Sequence, residues 1–231
     1  MIATLDAIRH DIVACTRCER LREYCARIAR DKKGPYRDDT YWAKPVPGFG
    51  DRHARVLVIA LAPAAHGANR TGRVFTGDVP GGSGDFLMRA MHAAGFANMP
   101  TSRHAEDGLL LHDAYIMAAV RCAPPDNKPT PAEILACHSH LVAEAAALPH
   151  VKVIVALGRI GFAATWRLLA DRGVVIRPKP PFRHGAVYRV AETLTVVASY
   201  HPSRQNTNTG VLTPAMLASV FRKAQKLATA V

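Results

Sequence analysis

Residues 55–61 read RVLVIAL, a nearly unbroken apolar run that gives way at once to a loop, 62–84, rich in Gly, Ala and polar residues. Three further runs share this character: 115–120 (YIMAAV), 151–157 (VKVIVAL) and 194–199 (LTVVAS). A short run that is apolar on both alternating faces fits a strand covered on both sides, as in a parallel sheet between helices. Helical patterns lie between and after the runs. Residues 84–94 begin beside Asp85, a candidate N-cap, and end at Gly95, suited to a left-handed stop. Thr130-Pro131-Ala132-Glu133 reads as a capping box with Pro at the first helical position, opening a helix to about Ala147. Residues 158–170 follow the third run directly. Thr213-Pro214 opens a last helix in which Leu217, Val220, Phe221, Ala224 and Leu227 recur at helical spacing. The expected fold is α/β: a three-layer sandwich with a four-stranded, mostly parallel sheet flanked by helices and joined by right-handed crossovers. Ligands of such folds bind at the carboxyl ends of the strands. The unusual segments 62–84, 121–130 and 201–210 all fall there.

A chain of 231 residues can bury one substantial core, and a single domain over residues 1–231 with short extensions is expected. Residues 1–14 look charged and helical, without the apolar stretch and cleavage site of a secretory signal. No apolar run approaches a membrane span. A cytoplasmic protein is therefore expected, in which five cysteines serve as metal ligands plus a free thiol rather than disulfides. The net charge of +12 comes from the body of the chain and favours an anionic partner, nucleic acid first and a membrane surface second.

Cys15 and Cys18 form a CxxC near the end of the first helix, Cys122 follows the second strand, and Cys137 lies in the helix capped by Thr130. Four thiolates can hold tetrahedral zinc or a [4Fe–4S] cluster, and spacing does not choose between them. Cys122 and Cys137 can also be read as small buried hydrophobes. Cys25 has no partner motif and is expected to be a free thiol. His138 and His140, beside Cys137 on a helix, are expected to face solvent.

The loop after the first strand continues LAPAAHGANRTGRVFTGD (61–78), with neither GxxxxGK[ST] nor GxGxxG in it. The loop after the fourth reads HPSRQNTNTG (201–210), a polar segment kinked by Pro202. Together these segments resemble the two signature motifs of the uracil-DNA glycosylase superfamily, and specifically its family-five, iron–sulfur pattern. VRCAPPDNKPTPAE (120–133), the CxxC and ALGRIGF (156–162) match that family too, so the resemblance runs from about Cys15 to Phe221.

The resemblance implies a [4Fe–4S] cluster on Cys15, Cys18, Cys122 and Cys137, tying the N-terminal helix to the core. It also implies a monomeric hydrolase that excises uracil from DNA. Catalysis would fall to Asp78, near the sugar and its attacking water, and to His201, donating to the departing base. Leu61, Ala62 and Phe75 would bind the flipped base, and Arg204, Asn206 and Asn208 would contact DNA. Family-four relatives carry Glu where this chain has Leu61, and a base-reading Asn where it has Ala118. An apolar wall at Ala118 implies looser selection, extending to hypoxanthine and xanthine. The main rival reading is a non-catalytic, basic nucleic-acid-binding module with a structural metal site. A histidine-trapping relative would need KRRIH, and a zinc hydrolase HxE…PCxxC or HExxH; none of these occurs.

Overall fold

The computed structural model describes residues 3–77, 79–174, 176–178 and 180–230. Its strands are β1 (Phe49–Gly50), β2 (Val56–Ala60), β3 (Ala114–Ala118), β4 (Val153–Leu157), β5 (Val187–Arg189) and β6 (Thr195–Ser199). They form one sheet in the order β1-β3-β2-β4-β6-β5. The four apolar runs supply the parallel centre. The expected four strands become six because β1 and β5 add antiparallel edges. Two and three residues long, and partly exposed, these edges bury too little to carry a period-two signature.

The helices are α1 (Leu5–Val13), α2 (Glu19–Asp31), α3 (Ala68–Thr71), α4 (Ser83–Ala93), α5 (Pro131–Ala146), α6 (Gly158–Asp171), α7 (Arg204–Asn208) and α8 (Pro214–Thr229). Alternation along each central strand sends neighbouring side chains to opposite faces. Val56, Val58, Val153, Val155 and Val197 meet Leu87 and Met88 of α4 and Val220 and Phe221 of α8. Leu57, Ile59, Ile154 and Val196 meet Leu141 of α5 and Phe162 and Leu169 of α6. α1 packs outside α5, completing the third layer.

Local signals fix the helix starts. The Thr130 hydroxyl accepts from Glu133 N while Glu133 reaches back to Thr130 N, closing both halves of the capping box. Thr213 caps α8 through Met216 N at 3.2 Å. Asp85, by contrast, is not an N-cap. Gly82 takes that position, and the buried Asp85 carboxylate accepts from Gly81 N and pairs with Arg103. The expected solvent-facing histidines also differ from the structure. His140 is buried against Arg17, and His138 pairs with Asp171 of α6, because α5 lies between α1 and α6.

Candidate active site

The central strands run outward in two directions, from β2 to β3 on one side and from β4 to β6 on the other, so the following loops part and leave a crevice. A pocket of about 550 Å³ occupies it. Leu61 and Ala62 line it after β2, Ala118 at the end of β3, Phe75 from the long loop, and His201 and Arg204 after β6.

The half-buried His201 ring stacks on Phe75, with centroids 5.8 Å apart and planes 28° from parallel. Its backbone is held by Asn206, whose side-chain amide donates to the His201 carbonyl at 2.9 Å. Gly158, at φ +76°, lies directly behind it: a Cβ there would sit 3.1 Å from His201 Cβ. Burial lowers the imidazole to about 4, so near neutral pH the ring is uncharged, with one nitrogen donating and the other accepting.

Phe75 adopts φ +52°, a left-handed conformation that a non-glycine residue keeps only where its surroundings enforce it. Three restraints do so. Arg73, only 6% exposed, donates to Thr76 Oγ1, Ala105 O and Ser102 Oγ and forks onto both oxygens of Asp107. Arg70 bridges the carbonyls of His66 and Gly77. Gly84 of α4 presses on the Phe75 carbonyl so closely that a Cβ would lie 2.3 Å from its oxygen.

Cys15, Cys18, Cys122 and Cys137 line a second, smaller cavity where α2, the segment after β3 and α5 converge. All five cysteines are free, and Cys25 is fully buried with its thiol directed to Ala123 O. Among the described residues, no three His, Cys, Asp or Glu side chains converge as a metal-ion site. Burial pushes the Cys137 thiol up to about 11 and raises Cys18, and the charges of neighbouring cysteines raise both further. Cys122 is raised by its contact with Cys25 and then by burial.

Residues 47–225 match the model of the uracil DNA glycosylase superfamily. The type-5 uracil-DNA glycosylase of Thermus thermophilus is 48% identical over 223 residues, covering 96% of this chain and 98% of that protein. The Mycobacterium tuberculosis type-5 protein is 47% identical over 218 residues, 94% of this chain and 79% of its own. The type-4 uracil-DNA glycosylase of Archaeoglobus fulgidus is 28% identical over 205 residues, 87% of this chain and 82% of its own. The chain belongs to the uracil-DNA glycosylase superfamily, among its type-5 members.

Within this glycosylase framework, Leu61, Ala62, Phe75, Ala118, His201 and Arg204 share one pocket. Asp78, the other expected catalytic residue, lies outside the described residues. Asn206 turns inward to His201, and Asn208 is exposed outside the pocket lining. The segment read as a polar loop is instead the short helix α7, capped by Ser203. Sequence reading missed Asp126 and Asn127, which sit at the pocket rim at φ +53° and +57°. Asp and Asn are the side chains that best tolerate this conformation, so the Asp-Asn pair after Pro125 was the available signal. Gly84 and Gly158 left no such trace, because their contacts are with segments remote in sequence.

Proposed function

We propose that this protein hydrolyses the N-glycosidic bond of uracil, and of other deaminated bases such as hypoxanthine and xanthine, after the nucleotide rotates out of DNA into the pocket. The uracil-DNA glycosylase assignment comes with family membership. The wider substrate range and the flipping step are our reading. The observation carrying it is a neutral, backed histidine beside an aromatic face in a pocket otherwise lined largely by apolar groups.

Bond cleavage builds negative charge on the departing base and positive charge on the sugar, so the site must serve both. His201 donates a hydrogen bond to the base oxygen through the N–H of its uncharged ring, taking up part of the negative charge that develops there. Phe75 stacks on the extruded base, whose unstacking costs a few kcal/mol, less for a mismatched lesion. The Leu61 carbonyl already accepts from Val120 N, so the backbone amides at Leu61 and Ala62 are the groups for the base edge or the water. Asp78 orients the water and offsets charge on the sugar. Arg204 meets backbone phosphate, and Asn208 adds a polar contact. Asn206 acts through His201, whose carbonyl it holds.

The four cysteines suit a [4Fe–4S] cluster. All four line one cavity between the N-terminal helices, the segment after β3 and α5, and four cysteine thiolates are the donor set such a cluster takes. Cys15, Cys18, Cys122 and Cys137 would each ligate one corner, and the group would supply a covalent tie between the N-terminal helices and the core. Its thiols must lose protons on binding, which makes loading pH-dependent.

The reading is tested on duplexes carrying uracil, hypoxanthine or xanthine, by strand cleavage after alkali. An apolar wall at Ala118 discriminates by only ~1–3 kcal/mol, so cleavage of all three is expected. Strict uracil specificity would show that another group reads the base. DNA binding with no cleavage of any lesion would favour the non-catalytic binding module.

A further inference from the structure

Arg121 follows β3 and is only 1% exposed, the largest fully buried side chain among the described residues. Its Nη2 lies 2.6 Å from Glu144 Oε2 in an ion pair, and it approaches Met117 Sδ at 3.7 Å. Glu144 is 1% exposed and is further held by Gly48 N and Tyr115 Oη. Yet Nε and Nη1 of Arg121, and Glu144 Oε2 despite its ion pair, are buried with no hydrogen-bond partner among the described residues. Leaving charged donors buried and unpaired is costly, so retaining an arginine here calls for an acceptor. Arg121 lines the cysteine cavity, and its backbone N–H already donates to Cys137 Sγ at 3.2 Å.

We propose that the two unpaired guanidinium nitrogens of Arg121, held by the ion pair with Glu144, donate hydrogen bonds to the cysteine sulfurs of the cluster pocket and offset their charge. The proposal rests on the [4Fe–4S] reading above. Four thiolates give such a cluster a net negative charge that increases on one-electron reduction. A fixed cation beside it therefore favours the reduced form and raises the potential, as hydrogen bonds to ligand sulfurs do. Arg121 is a positioning residue with no contact to DNA required.

The test compares anaerobically purified holoprotein with Arg121→Lys, Glu144→Gln and the double variant Arg121→Gln/Glu144→Gln, which leaves no stranded charge. Iron and sulfide content, midpoint potential and the rate at which the brown absorbance is lost to a chelator are measured on each. The double variant should bind four irons, titrate at a more negative potential than wild type, and lose its cluster faster, by roughly the 10- to 100-fold that removing a hydrogen-bond partner of a metal ligand costs in metal affinity. Glu144→Gln alone should shift the potential the opposite way, and Arg121→Lys should fall between wild type and the double variant. Unchanged potential and loss rate in an iron-loaded double variant would reduce the pair to a structural ion pair and overturn the proposal. Wild type that carries zinc, or no stoichiometric iron and sulfide, would instead overturn the cluster reading and this inference with it.

Discussion

His201 is held near 4, below its ordinary 6.5, by burial. Between those values the unfolded chain takes up a proton here and the folded chain does not. The site's contribution to stability is therefore full above about 6.5 and is lost as pH falls toward 4. The same shift keeps the imidazole uncharged throughout the physiological range. Cleavage rates followed from about pH 8 to about pH 5 should show no acid limb belonging to His201. A rate that falls as pH rises through about 6.5, and no longer does so in His201→Gln, would mean that a charged imidazole does the work. His201 and Asp78 are also separable by leaving group. Replacing uracil with 5-fluorouracil eases departure of the base, so the defect of His201→Ala should shrink. That of Asp78→Asn should persist, since the cationic sugar is common to both substrates. Equal defects on both bases would remove this division of labour.

At the scale of elements, the segment carrying Phe75 depends on the Arg73–Asp107 pair, whose side chains are 6% and 8% exposed. Asp107 is held below the usual carboxylate range against the opposing effect of its burial, by the Arg73 hydrogen bonds first and by backbone N–H groups of Arg103 and Leu109. Breaking a buried pair from one side typically costs about 3–5 kcal/mol. Arg73→Ala should therefore lower the unfolding midpoint and also kcat, by releasing the strained Phe75. Full kcat in a destabilised Arg73→Ala would show that the pair supports the fold without positioning the pocket. The capped helices α5 and α8 and the four central strands were legible in the sequence because their signals are local: a capping residue, or an apolar run of the right length. The edge strands, α3, α7 and the backbone of Phe75 were not. Their conformations are set by partners far along the chain, such as Ser102 and Asp107 for the loop at 73–77. For the same reason the site residues legible in sequence were those in family motifs, while Gly158 and Gly84, which back His201 and Phe75, became visible only in the fold.

Across the whole molecule, a net charge of +12 accompanies a pocket whose rim carries Arg204. Contacts to phosphate release condensed counterions, so log affinity for duplex should fall linearly with log salt, by roughly 0.9 per phosphate engaged. Arg204→Ala should reduce both affinity and that slope. An unchanged slope would place Arg204 off the backbone. No helix among the described residues is long and apolar enough to cross a membrane. We propose that the pocket breaks a glycosidic bond with help from the His201 donor. The most direct test is the single-turnover release of free uracil from a saturating duplex, by wild type and by His201→Ala. Wild type should release the base, and His201→Ala should bind the duplex with nearly unchanged affinity but release uracil more slowly by the equivalent of ~2.7–4 kcal/mol. Wild-type release rates in the variant, or no release by the wild type, would contradict it.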